Sequence, residues 1–376
     1  MLIAKVLEAT PQNLALAAHA LQNDEVIGMP TETVYGLAAS CWSIAALAEV
    51  FRVKGRPTSD PLIVHVNLKE KTLAELEALS LIDLSQIPKT SQIILHRLMA
   101  ELWPGPLTLV LPKHARVPHL ITSGLSTVAI RMPRHPLARE LITLAKTPLA
   151  APSANRFGRI SPTTAQAVLE ELGDQIHLIL DGGPSEIGLE STVIALKSTG
   201  DLVILRPGGT SIERIEQLAG KSLLSPEIPS PNLPASGMAS PGMLESHYAP
   251  KKPFYLLANS VSRLTLEDLK TIKAVIHSYF SQQIQMNKKN AFVGLLAFSG
   301  DPETQSKTFS QQIGFPVLIK VLSSQGNLEE AAHQLFSEMR WLDSSPVDLI
   351  FSEPSPLLEG LGLAIADRLK RAAAQK

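Results

Sequence analysis

The first half of the chain alternates short apolar runs with stretches of helical period. The runs are EVIGMP (25–30), PLIVHV (61–66), LTLVLP (107–112), TVAIRMP (127–133), TPLAAPSAN (147–155), IHLILDGG (176–183), STVIAL (191–196) and LVILRPG (202–208). Each has strand length and closes on Pro, Gly or Asn, or leads into such a turn. Helical segments separate them. In TPQNLALAAHALQND, Thr10 has the chemistry of an N-cap and Pro11 that of a first helical residue. In SPTTAQAVLEELGD, Ser161 and Pro162 read as an N-cap pair, with Gly173 as the stop. Strands interspersed with helices on this scale predict one α/β domain with a mixed sheet.

From Lys221 the period disappears. KSLLSPEIPSPNLPASGMASPG carries five prolines and reads as an extended connection. Beyond it FYLLA, KAVIHSYF, AFVGLLAFSG, PVLIKVL and VDLIFSEP read as strands, with helical stretches such as LEEAAHQLFSEMRWLD between them. That alternation predicts a parallel, doubly wound, Rossmann-like sheet. The expected division is a catalytic domain over 1–210, a proline-rich linker over 211–252 and a second domain over 253–376.

Composition narrows the class. With 376 residues the chain can bury two cores, and 45% hydrophobic against 18% charged residues excludes extended disorder. Lys plus Arg (34) balance Asp plus Glu (35), which excludes a strongly basic nucleic-acid binder but not a local patch. One cysteine, Cys41, excludes a disulfide framework and a multi-cysteine metal site. With no 18-residue apolar run and no signal peptide at the start, the expectation is a soluble, cytoplasmic protein.

The candidate chemistry is dispersed. A G-x-x-x-x-G-K-[ST] loop, H-E-x-x-H and G-x-S-x-G are all absent. A nucleotide site would therefore be assembled from separate Lys, Arg, Ser and backbone N–H groups. In KGRPTSDPLIVHV, Lys54 and Arg56 share one face if the chain is extended there, an arrangement suited to a polyphosphate; a solvated helix end is the plain alternative. His65 interrupts an apolar strand, where a hydrogen-bonded core histidine is the commoner case. MPTETVYGLAA sets Thr31, Glu32, Thr33 and Tyr35 at a strand end, as ligand contacts or as a capped corner. Arg131, four residues after Thr127 on one strand face, needs an anion if buried. PSAN (152–155) on a proline-fixed turn could cradle a phosphate, while Glu190, Ser191 and Arg206 stand at strand ends.

Taken in order, PTETVYGL, KGRP…PLIVHV, WPGPLTLVL, STVAIRMPRHPLA, APSAN…SPT, DGGPSEIGLESTV and LRPGG resemble the YrdC-type threonylcarbamoyl-AMP synthase family over residues 12–210. SPGMLESHYAP and GLGLAIADRLKRAA extend the resemblance to its long, two-domain form. The resemblance implies a twisted mixed-sheet domain joined to a Rossmann-like one. It implies synthesis of L-threonylcarbamoyl-AMP from L-threonine, bicarbonate and ATP, with pyrophosphate released, for the modification of adenosine 37 in tRNA. Carried over by motif, the threonine pocket comprises Thr33, His65, Arg131, Ala151 and Ser191. The ATP side comprises Arg56, Asp60, Thr127, Ser153, Ser161, Arg206 and the linker residue Tyr248, with Lys54 and Asn155 at the phosphates and Lys54 and Arg56 as the catalytic pair. Mg²⁺ would arrive on the ATP phosphates, without protein ligands that can be named. A downstream tRNA threonylcarbamoyl transferase complex would take the product, and direct tRNA contact is not required. The chain departs from the family pattern at Asp60, Glu245, Asp367 and GLAASCW. The alternative is a double-stranded RNA or tRNA binding module of the same fold.

Overall fold

The computed structural model describes residues 3–224, 247–284 and 291–374. Of these, 3–157 and 161–224 pack as one unit; 158–160 join the residues from 247 onward in a second.

The first unit contains β1 (Lys5–Glu8), β2 (Ile27–Met29), β3 (Gly36–Ser40), β4 (Ile63–His65), β5 (Leu107–Pro112), β6 (Thr127–Arg131), β7 (Leu149–Ala150), β8 (Leu178–Asp181), β9 (Thr192–Leu196) and β10 (Leu202–Arg206). They form one ten-stranded mixed sheet in the order β1-β8-β2-β3-β7-β4-β6-β5-β9-β10. The eight apolar runs all supply strands. β1 and β3 were not foreseen: β1 is an edge strand, mostly exposed, and β3 is the alanine-rich GLAAS, so neither shows an apolar alternation.

Helices begin where their caps dictate. The Pro11–Gln22 helix starts behind Thr10, whose hydroxyl accepts the Asn13 N–H at 3.2 Å. Ser161 is not a cap. The helix after it spans Ala165–Leu172 and is capped by Thr164, which accepts from Ala167 N at 3.1 Å. Lys54 and Arg56 are not on an extended face either: Lys54 is the last residue of the Ile44–Lys54 helix, and Gly55 closes it at φ +60°. A left-handed C-cap of this kind suits a residue without Cβ. The sequence rule failed because it assumed period two where the chain was still helical.

The second unit holds β11 (Phe254–Leu256), β12 (Val293–Ser299), β13 (Val317–Ser323) and β14 (Leu349–Ser352), a four-stranded sheet ordered β11-β14-β12-β13 with every pair parallel. KAVIHSYF is not a strand but part of the Leu266–Ile284 helix. Ile272 and Ile276 are buried there and Leu269, Val275, Tyr279 and Phe280 pack beside them, a helical spacing that an eight-residue window conceals. Residues 225–246, the middle of the expected linker and including Glu245, lie outside the described residues.

Candidate active site

Strand register brings distant motifs into a single row. His65 on β4 stands beside Leu149 on β7 and Arg131 on β6; Arg131 faces Thr108 on β5; Thr108 lies beside Val193 on β9, and Val193 faces Arg206 on β10. Residues directly opposite in a ladder share a face, so the row collects polar side chains that are up to 141 positions apart in the chain, His65 to Arg206. Ser191 sits two residues before Val193, and its hydroxyl lies 2.7 Å from that of Thr108. Arg206 donates from NH2 to Ser191 O at 2.9 Å.

Arg131 is 3% exposed and its guanidinium is held on three sides. Nε donates to Gly105 O at 3.2 Å, NH1 to Thr33 Oγ1 at 2.8 Å, and NH2 lies 2.6 Å from Glu32 Oε1. Burial works against the Glu32 carboxylate, but Arg131 outweighs it and holds the acid below its ordinary range. His65 is driven the other way: burial first, then the neighbouring Arg131, lower it to about 3. The imidazole is therefore neutral at physiological pH, and positive charge at this end of the row belongs to Arg131.

A second cluster forms where the Ile44–Lys54 helix ends. The Lys54 ammonium donates to the backbone carbonyls of Ser153 and Asn155, which places the PSAN turn over it. Arg56 NH2 makes a buried ion pair with Asp60 Oδ1 at 2.9 Å and also donates to Pro61 O at 2.7 Å. Burial raises the Asp60 carboxyl, against the pull of Arg56, Lys54 and Arg206, so three cations act on one acid. Lys54 is lowered well below the usual lysine value, by burial first and by Arg56 second. Two adjacent cations kept from water are costly without a strong anion between them.

The other expected residues fall around these clusters. Ser161 is fully buried and donates to Glu190 Oε1 at 2.6 Å. Ala151 follows β7 and donates its N–H to Ile63 O at 3.0 Å. Ser153 bridges to Gly36, and Asn155 donates from Nδ2 to Arg156 O at 2.8 Å. Thr127 opens β6, four residues or about 13 Å from Arg131. On the β5 side Thr127 stands opposite Pro112. Tyr248 packs within the second unit, its ring stacked on Phe336 at 5.4 Å with the Arg368 guanidinium 5.2 Å from its centre. Among the described residues no group of three or more His, Cys, Asp or Glu could hold a metal.

Several participants were missed in the sequence. Thr108 hides inside an apolar strand, and its one polar position within LTLVLP was the available signal. Glu190 and Glu32 were noted without roles; their partners, Ser161 and Arg131, are 29 and 99 positions away, so no local pattern could supply them.

A row of buried cations and hydroxyls on a mixed sheet, with a helix-end lysine under a PSAN turn, defines the Sua5–YciO–YrdC class of domain. The family model described as "Telomere recombination" matches residues 19–208, and that described as "Threonylcarbamoyl-AMP synthase, C-terminal domain" matches 210–374. The chain is 35% identical to the threonylcarbamoyl-AMP synthase of Pyrococcus abyssi, over 96% of this chain and 93% of that one. It is 37% identical to that of Bacillus subtilis, over 98% and 94%. The crystal structure of P. abyssi Sua5 complexed with L-threonine is similar at a TM-score of 0.78 and 34% identity, covering 98% of each chain. The chain belongs to the two-domain, Sua5-type threonylcarbamoyl-AMP synthases, ATP-using nucleotidyltransferases.

Proposed function

We propose that this chain makes L-threonylcarbamoyl-AMP from L-threonine, bicarbonate and ATP, releases pyrophosphate, and supplies the intermediate for the threonylcarbamoyl modification of tRNA. The observation that carries the reading is the convergence of Lys54, Arg56 and Arg206 on one buried carboxylate, a few residues from the Arg131–His65 row. Two anion-binding regions side by side suit a nucleotide and an amino acid.

The chemistry follows from these residue types. Threonine's amine and bicarbonate give a carbamate and water; a carbamate oxygen then attacks the α-phosphorus and pyrophosphate leaves. Such a transfer needs alignment and charge neutralisation rather than a covalent nucleophile. Arg131 takes the threonine carboxylate, with Thr33, neutral His65, Ala151 and Ser191 around the rest. Lys54, Arg56 and Asn155 meet the phosphates; Ser153, Ser161, Thr127, Asp60 and Arg206 complete the nucleotide side. The Arg56–Asp60 pair supports this arrangement, since a phosphate can replace the carboxylate at the guanidinium without net desolvation of the cation. Mg²⁺ enters on the triphosphate. Tyr248 as a nucleotide contact, and the linker over 211–252 as a lid on a carbamate that loses CO₂ readily in water, rest on the family resemblance. The proposed domain limits remain 1–210 and 253–376. A cytoplasmic location fits; no helix among the described residues is long and apolar enough to cross a membrane.

Pyrophosphate release from ATP by the purified protein tests the reading. It should require threonine and bicarbonate together. Background release from a folded protein that binds RNA in a salt-sensitive way would replace it with the RNA-binding alternative.

A further inference from the structure

One peptide group in the first unit is gripped at both ends by opposite charges. The carbonyl of Asn155 accepts from the Lys54 ammonium. The N–H of Arg156, the other half of the same peptide, donates to Glu171 Oε2 at 3.3 Å. With a single planar amide between them, ammonium and carboxylate lie no more than about 8 Å apart. Two further bonds hold the turn in place: Phe157 N donates to Lys54 O at 2.8 Å, and Asn155 Nδ2 to Arg156 O at 2.8 Å. The position of Glu171 is itself unusual. It lies on the inward face of the Ala165–Leu172 helix with Val168 and Leu172, 7% exposed, where an apolar residue is the rule. Its neighbour Glu170 makes an exposed contact, accepting from Gln166 at 3.2 Å.

From this geometry we infer that Glu171, to which no role in the reaction has been given, is a positioning residue for Lys54. Its carboxylate fixes the turn that holds the ammonium and supplies the negative charge that the lysine's carbonyl partners lack. The inference rests on the nucleotide reading above and adds to it what sustains the lysine's charge. A carbonyl orients an ammonium but brings no net charge to offset its burial. A carboxylate on the far end of the same amide polarises it, so the amide oxygen becomes a better acceptor. Two of the three ammonium donors go to Ser153 O and Asn155 O; since Glu171 acts through the amide, the third is left for a phosphate. Burial is the largest influence against the charged lysine and Arg56 adds to it, while Asp60 and Glu171 work the other way. Asp60 is itself paired with Arg56, and the Arg156 side chain is turned to Asp174.

The test uses the full-length protein and calorimetric titration of ATP from about pH 6 to pH 10, the range over which a depressed lysine loses its proton. Wild type is compared with Glu171→Gln, Glu171→Asp and Lys54→Arg, and a titration of L-threonine checks that each variant is folded. Glutamine keeps the acceptor for Arg156 N and removes only the charge, which separates the electrostatic role from the anchoring one. In Glu171→Gln the fall in ATP affinity should move to lower pH by about half a unit or more, with threonine affinity held within about twofold. Glu171→Asp retracts the carboxylate by one methylene and should move the fall the same way by a smaller step; it serves alone if the glutamine variant does not fold. A profile that stays in place, moves to higher pH, or drops by one factor at every pH overturns the inference. If Lys54→Arg keeps the wild-type pH dependence, the lysine is not the titrating group, and the phosphate assignment falls together with the role of Glu171.

Discussion

Both units bury charged residues, but they use them in opposite ways. In the second unit the buried carboxylates are answered by backbone N–H groups and the buried arginine by a neighbouring acid. Glu353, at the end of β14, accepts from Val261 N at 2.6 Å and Phe298 N at 2.7 Å; Asp348 accepts from Phe292 N at 3.1 Å; Arg368 pairs with the adjacent Asp367 at 2.7 Å. These groups tie loops to strands. In the first unit the buried charges pair with one another, Arg131 with Glu32 and Arg56 with Asp60, and Lys54 is met by carbonyls instead of a carboxylate. A carboxylate satisfied by the backbone N–H groups of other segments builds the fold. Charges gathered in a common region and kept from water, as Lys54 is, depressed by burial first and by Arg56 second, mark a place kept for something else.

The contrast can be broken most sharply at Arg56. Arg56→Ala should reduce pyrophosphate release at least about a hundredfold and, by stranding Asp60, cost about 3–5 kcal/mol of stability in a denaturant titration. Adding Asp60→Asn should recover the stability and not the activity; recovery of both would make the pair structural, like those of the second unit. At Glu353 the opposite pattern is expected. Glu353→Gln leaves only one oxygen for two N–H donors and should cost about 1–3 kcal/mol without altering threonine-dependent turnover. Lost turnover in a folded variant would erase the distinction.

Titration separates the regions further. A phosphate beside Lys54 raises a pKa that the empty site holds down, so nucleotide binding takes up a proton above the empty-site value. The ATP dissociation constant should therefore increase as pH rises through that value, and Lys54→Arg, which does not titrate, should flatten the profile. His65 acts on stability. Its folded value of about 3 lies below the ordinary 6.5, so the unfolded chain takes the proton first. Its contribution is intact above about pH 6.5 and drains away toward pH 3, a limb that His65→Gln should flatten in acid unfolding. The smallest effect is at Thr164, where alanine should lower stability by about 1 kcal/mol through the lost cap and leave Ser161 and substrate affinity untouched.

What could be read in advance follows from range. Apolar runs report their own strands, so eight of the ten strands of the first sheet were visible, whereas GLAAS and the edge strand KVLE carried no such signal. The ordered motifs named the cations. They could not say that Lys54 ends a helix, that Thr164 and not Ser161 is the cap, or that Glu190 receives the Ser161 proton, because each depends on a local geometry or on a partner far away in the chain. KAVIHSYF misled because an eight-residue apolar run has no period of its own; only its helical neighbours Leu269 and Ile272 settle the question.

The anchorage of Lys54 carries a consequence for genetics. Its two partners are main-chain oxygens, so the residues that supply them, Ser153 and Asn155, can change identity without removing either contact. A scan of side chains there would report on their hydroxyl and amide alone and pass silently over the lysine's support. What a lineage must preserve at that spot is the bend of the turn, and Pro152 before it is where the support would be lost.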